Sequence, residues 1–498
     1  MDQDVVGEMT VRLSDADPAE TLSVDAAVGR LLPAVEHFLA FAEPDRAIAD
    51  RDRWLAALDR PLPSAGAGLE TVLDELSEWV VPYGLRTPHP GFSGYIIGRA
   101  TTAGIAAGVA AQAAGHFRYF LTSFNFLEQL SLDWVADLCG IRPGSTGVYS
   151  SGGSSANLLA IGAARQAAFE SVGVDPAADG VPAGLRPRIY GSVEVHRTIH
   201  RAAGVLGLGR RAFTPIESDA AGRIDPMALD RRLRADRAEG ILPVAIVGIA
   251  GSTSTGAIDP LEALAEIAAE HDVWFHVDGA YGLPARCVPE LAGALDGVER
   301  ADSAIIDPHK WLGTPAGCGI TYVRDGSLLY RAFTQDPAPY LETFSPDEAR
   351  SQFDDQGTHW YDQSLELSSP ARGVWVWATL REIGVDGVRQ RIRRHVGFAG
   401  HLGRLAEAHE RLELLLPSEL SICCFRYRPA DTSEPQIDAL NEEIIRLLWA
   451  ETPFVPSTTR VEGKLAIRPC FVNASTTLDD VNGLADAVIT LGDRLTRH

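Results

Sequence analysis

Four short apolar runs, at residues 189–193, 244–249, 273–277 and 304–306, are separated by longer stretches that carry helical periodicity. One of those stretches, 260–270, opens with proline at an early helical position. Strands that alternate with helices in this way commit the chain to an α/β fold with a mostly parallel sheet, because parallel strands need a crossover between them and a helix supplies it. Open sheets of that kind bind ligands beyond the carboxyl ends of their strands. The residues just after each run are therefore where chemistry is expected.

Around this block the pattern changes. The first 80 residues read as helices broken by proline-rich stretches, with helical spacing at 28–41 and 69–80, and His89-Pro90-Gly91 marks a turn. Residues 100–114 are rich in Ala and Gly and read as a tightly packed helix, followed by an amphipathic one at 126–138. A helix at 371–383 leads into a mixed region whose expected strands are 420–427 and 464–472. A chain of 498 residues is too long for one simple core.

Charge and cysteines narrow the function classes. A formal net charge of −23 argues against nucleic acid, whose phosphates would be repelled. It does not select a substrate, since a local cationic pocket can sit in an acidic protein. No uncharged apolar stretch of about 20 residues is present, so no membrane span is expected. The acidic start Met1-Asp2-Gln3-Asp4 lacks the features of a signal peptide, so a cytoplasmic location is expected. The six cysteines show no metal-ligand spacing and read as reduced structural thiols, with no metal site.

Five segments carry candidate chemistry. Tyr149-Ser150-Ser151-Gly152-Gly153-Ser154-Ser155-Ala156-Asn157 is small and polar and runs into a helical segment, 158–169, and a Ser/Gly loop at a helix N-terminus suits a phosphate. Asp278, in His276-Val277-Asp278-Gly279-Ala280-Tyr281-Gly282, ends an apolar run and is placed to pair with a ring nitrogen, with small neighbours that let a flat ring approach. Lys310, in Asp307-Pro308-His309-Lys310-Trp311, follows the next run and can reach the same crevice. His196 and Thr253 follow two further runs and could stack on a ring or bond a ring substituent. Taken singly, each also reads as an N-cap, a turn residue, a loop cap or a solvated side chain. Their joint placement, each after a strand, favours one shared site.

These segments resemble the PLP-dependent group II decarboxylases, typified by aromatic-L-amino-acid decarboxylase, over about residues 89–480. The resemblance implies pyridoxal phosphate as cofactor and the fold type I architecture. That means an N-terminal helical segment (1–98), a large domain with a mostly parallel seven-stranded sheet (99–375) and a small C-terminal α/β domain (376–498). It implies Lys310 as the Schiff-base lysine, Asp278 as partner of the pyridine nitrogen, and His196 and Ala280 on the two ring faces. Thr253 falls near the ring oxygen, and Gly153, Ser154, His309 and Asp307 fall around the phosphate, although aromatic decarboxylases often carry Asn in place of Asp307. Ser368 falls where the partner subunit of a homodimer approaches the phosphate, and Arg468 matches a C-terminal arginine of the family. Thr334-Gln335-Asp336-Pro337-Ala338-Pro339-Tyr340 resembles the mobile catalytic loop with one extra residue, which makes Tyr340 the expected proton donor to the substrate carbon after CO2 leaves.

The expected reaction is decarboxylation of an L-amino acid, aromatic by family, to its amine and CO2. The catalytic set is Lys310, Tyr340, His196 and Asp278. The substrate pocket departs from the family pattern at Ile97-Gly98 and at Gly115-His116-Phe117-Arg118-Tyr119. Arg99 and Arg118 could meet a substrate carboxylate or form structural ion pairs. Action on an acidic amino acid, aldehyde formation, aminotransfer and a non-catalytic PLP-binding role are the competing readings.

Overall fold

The computed structural model describes residues 23–42, 47–115, 123–334 and 360–497. The chain divides into two compact units, Met1–Arg86 and Thr87–His498.

The first unit is helical. Its helices are Val24–Ala40, Arg51–Leu58 and Leu69–Glu75. Ser23 caps the first by accepting from the Ala26 N–H at 3.2 Å. Arg30 ties that helix to the third through Glu70 at 2.8 Å and Asp74 at 2.5 Å. The helical spacing at 69–80 resolves into an α-helix that widens to a π-helical turn over Leu76–Val80.

The described residues of the second unit hold twelve strands: β1 (Phe92–Ser93), β2 (Thr146–Ser150), β3 (Pro187–Gly191), β4 (Phe213–Pro215), β5 (Leu242–Ile249), β6 (Trp274–Asp278), β7 (Ser303–Ile306), β8 (Gly319–Val323), β9 (Leu412–Glu419), β10 (Ile422–Tyr427), β11 (Val455–Val461) and β12 (Lys464–Arg468). Seven form a sheet in the order β2-β8-β7-β6-β5-β3-β4. Only β8 runs against its neighbours, so the other six share one direction and one carboxyl edge. The four apolar runs of the sequence are β3, β5, β6 and β7. In β5, Ile246 enters one apolar cluster and Ala245 and Val247 enter another. A strand buried on both faces must be apolar throughout, which is why these runs do not alternate.

The register brings chemistry to the shared edge. Ile249 of β5 pairs with Asp278 of β6, and Asp278 pairs with Ile305 of β7. The helix Gly153–Glu170 leaves the end of β2, and its small residues Ala156 and Ala160 pack on Ile305. Beyond it, the helix Arg372–Ala408 is interrupted at Gly384 (φ 62°, ψ 177°), where the expected 371–383 helix ends. The remaining strands form a five-stranded sheet, β1-β11-β12-β10-β9, in which β1 pairs in parallel with β11. Among the described residues no helix is long and apolar enough to cross a membrane.

Candidate active site

At the carboxyl edge of the large sheet lies a cavity of about 420 Å³. Gly153, Ser154, His196, Thr253, Asp278, Ala280, Asp307, His309 and Lys310 all line it. The sequence drew these residues from five separate strand ends, and the shared direction of β2, β3, β5, β6 and β7 brings them together.

Lys310 sits in the turn after β7, with its N–H donating to the Asp307 carbonyl at 2.9 Å. Its Nζ lies 3.1 Å from Asp307 Oδ2. Asp307, expected near the phosphate, thus turns its buried carboxylate to the lysine. Its other oxygen has no hydrogen-bond partner among the described residues. That carboxylate also lies beneath the start of the helix Gly153–Glu170, since a Cβ on Gly153 would come within 2.7 Å of Asp307 Oδ2. Trp311 anchors the same turn. It stacks on Tyr281 with ring centroids 4.9 Å apart and donates its indole N–H to His395 Nδ1 at 3.0 Å. His395 Nε2 faces the Asn473 carbonyl at 3.0 Å, so the ring must be neutral with its proton on Nε2. Burial pushes its pKa down to about 3.

Asp278 accepts from Asn157 Nδ2 at 3.0 Å and from the Ala280 N–H at 3.3 Å. Asn157 also donates to Thr198 Oγ1 at 2.9 Å, and Thr198 Oγ1 lies 2.9 Å from His196 Nδ1. Desolvation holds the His196 imidazole below its ordinary pKa, against the pull of Asp278. His309 donates Nδ1–H to the Cys318 carbonyl at 2.6 Å, which fixes the ring beside Gly152. Ser151 and Ser155 hydroxyls meet at 2.7 Å on the loop that precedes and opens the helix.

Thr253 follows β5 in a loop braced from the small sheet. The buried Arg468 of β12 donates to the carbonyls of Thr253 and, at 2.6 Å, Tyr95. Arg468 therefore shapes the wall without lining the cavity. Arg99 reaches Ser475 Oγ at 3.5 Å and does not line it either. Ser368 is exposed and away from its own chain's cavity. Tyr340 and Arg118 lie outside the described residues. Asn157 and His276 stood in the sequence motifs without a role of their own, and Thr198, Glu194 and Tyr95 went unremarked. Asn157 left one signal, a polar residue on the mostly apolar buried face of its helix, which it shares with Gln166.

The donor set suits one kind of ligand. The N-terminus of an 18-residue helix, with serine hydroxyls around it, favours a phosphate. His196 and Ala280 both line the cavity, where Asp278 offers a carboxylate and Lys310 an amine. These are the parts that pyridoxal phosphate requires.

Residues 53–428 match the pyridoxal-dependent decarboxylase conserved domain. The chain is 29% identical over 447 residues to an aromatic-L-amino-acid decarboxylase of Bacillus atrophaeus, across 88% of this chain and 89% of the relative. It is 33% identical over 353 residues to a tryptophan decarboxylase of Camptotheca acuminata, across 69% and 67%. The crystal structure of Oryza sativa TDC with PLP and tryptamine superposes with a TM-score of 0.84 at 26% identity, over 96% of this chain and 99% of that one.

Proposed function

This chain belongs to the pyridoxal-dependent decarboxylase family and is a PLP-dependent amino-acid decarboxylase, and from that premise we propose that it converts aromatic L-amino acids to their amines and CO2. The observation that carries this reading is the meeting of Lys310, Asp278, His196 and the helix N-terminus at Gly153 in one cavity. The walls support an aromatic side chain: Tyr95, Ile96, Ile97 and Ile249 supply apolar surface, while the Glu194 carboxylate would repel an acidic one. Two relatives named for aromatic substrates point the same way.

When bound, PLP supplies the electron sink into which the electrons of the breaking Cα–carboxylate bond flow. The protein residues do the rest. Gly153, Ser154 and His309 hold the phosphate, with the helix dipole adding attraction. His196 and Ala280 confine the ring between them. Asp278 favours the protonated ring nitrogen, because a carboxylate at hydrogen-bond distance stabilises the charged form. Thr253 would lie toward the ring oxygen, and Lys310, beside Asp307, would provide the attaching amine. Tyr340 would deliver the proton to the substrate carbon. A homodimer fits two observations: no residue of the helix Val24–Ala40 is fully buried, and Ser368 stands exposed. Six free cysteines fit a reducing, cytoplasmic compartment.

A panel of L-tryptophan, L-tyrosine, L-phenylalanine, L-glutamate and L-aspartate, read by product mass, tests the reading. Amine and CO2 from the aromatic members are expected, and Tyr340→Phe should divert product toward aldehyde. Turnover confined to the acidic members overturns the substrate class.

A further inference from the structure

We propose that His276 is a positioning residue: by donating to Asn157 it holds in place the buried amide whose two N–H groups reach Asp278 and, through Thr198, His196. The argument rests on the reading above only in taking those two residues as the ones that face the cofactor ring.

Asn157 is the branch point. Its amide has two N–H donors at one end and an acceptor oxygen at the other, and the two ends have nearly the same shape. Its Nδ2 end lies 3.0 Å from Asp278 Oδ2 and 2.9 Å from Thr198 Oγ1. Its Oδ1 lies 2.9 Å from His276 Nε2. Both Asp278 oxygens are occupied as acceptors, by Asn157 Nδ2 and by the Ala280 N–H. The amide must therefore present N–H to Asp278 and oxygen to His276, and His276 must carry its proton on Nε2. His276 is fully buried, and burial pushes its pKa down to about 4, so the ring is neutral and Nδ1 is bare. Ser303 Oγ, 2.9 Å from Nδ1, is then the donor there. The Trp274 indole N–H, which can only donate, completes the chain by donating to Ser303 Oγ at 2.8 Å.

One direction results: Trp274 to Ser303 to His276 to Asn157 to Asp278. The second Asn157 N–H goes to Thr198, whose hydroxyl is then free to donate to His196 Nδ1 at 2.9 Å, leaving the His196 proton on Nε2. Without His276, the buried Asn157 Oδ1 loses its donor, and only Asp278 and Thr198 hold the amide in place. An unsatisfied buried Oδ1 costs free energy that a shift of the amide relieves, and such a shift loosens the contacts to Asp278 and to Thr198 at once.

The test compares His276→Leu, which removes both bonds, with His276→Gln, whose amide can donate to Asn157 and accept from Ser303. Two readouts besides activity are used: PLP affinity, and the 15N shift of the pyridine nitrogen in bound labelled PLP. His276→Leu is expected to weaken PLP binding roughly tenfold, as for one buried hydrogen bond lost, and to move the pyridine nitrogen toward its unprotonated shift. His276→Gln should restore both. In an Asn157→Ala background, His276→Leu should add no more than about twofold, because its effect passes through that amide. A wild-type pyridine shift in His276→Leu, or full additivity with Asn157→Ala, overturns the proposal. Should His276→Leu fail to fold, Ser303→Ala must shift the pyridine nitrogen in the same direction, and an unchanged shift overturns the proposal. Imidazole 15N spectra of the full-length wild type add an arm that needs no cofactor: an Nδ1–H or doubly protonated His276 near neutral pH overturns the tautomer. A wild type that binds no PLP sinks the functional reading and leaves that arm standing.

Discussion

Lys310 illustrates how little a single residue says alone. Its weight comes from Asp307 at 3.1 Å and from the cavity it shares with Asp278 and His196. If it is the attaching amine, purified protein should carry a visible cofactor band that Lys310→Ala abolishes, and a colourless wild type that cannot take up PLP would refute the role. The buried histidines make a second prediction. His395 and His276 have folded pKa values pushed down to about 3 and about 4, below the unfolded value of about 6.5. Between those values the unfolded chain binds protons that the folded chain does not, so stability falls as pH drops below about 6.5 and levels off for these groups only near the folded pKa values. His395→Gln keeps a donor for Asn473 and an acceptor for Trp311 while removing one titrating group. Its Tm should therefore decline less steeply than wild type between pH 6.5 and 5, as scanning calorimetry would report. At this scale the motif residues were legible because they follow apolar runs. Asn157 and Thr198 were not assigned, because their importance is in which neighbour each meets across some forty residues or more, and no local pattern encodes that.

Among the elements, the strands buried on both faces were the easiest to read, since β5 has no polar side chain to blur it and β7 only Ser303 at its start. Others escaped. β2 carries Thr146, Gly147 and Ser150, residues equally at home in a loop, and becomes a strand through its pairing with β8. β4 and β1 span three and two residues and exist only by tertiary pairing. The helix Gly153–Glu170 was foreseen from 158, yet it starts at the glycine itself, one turn earlier. Glycine is required there by contact, because a side chain would strike Asp307. Gly153→Ala is accordingly predicted to shift the helix start and weaken PLP binding by roughly tenfold or more, about 1.4 kcal/mol, with little change in far-UV circular dichroism. Unchanged affinity in a cofactor titration would mean that the Asp307 side chain yields freely.

For the whole molecule, the α/β class and the seven-stranded sheet were legible because alternation and family resemblance agree. The route of the chain through the small sheet was not, since β1 joins strands that lie more than 350 residues later. A homodimer whose sites each take Ser368 from the partner predicts complementation. Lys310→Ala and Ser368→Glu, each expected to be impaired alone, should regain activity when co-refolded. One site in each mixed dimer then has its own Lys310 and a wild-type serine opposite, for roughly a quarter of wild-type turnover overall. Strictly additive residual activities would argue that each site is built from one chain.

The pairing of Phe92 and Ser93 with Val455 and Pro456 also sets a timetable for synthesis. A ribosome releases β1 early and β11 and β12 only near the end. Until then Tyr95 lacks the Arg468 guanidinium that braces it and the neighbouring Thr253 loop. The large sheet can form on the nascent chain, but one wall of its cavity waits for the last strands to emerge. Contacts this distant in sequence form slowly, so cofactor capture should be among the final events in the protein's biogenesis, and a chain stalled before residue 455 would hold the lysine without a finished pocket around it.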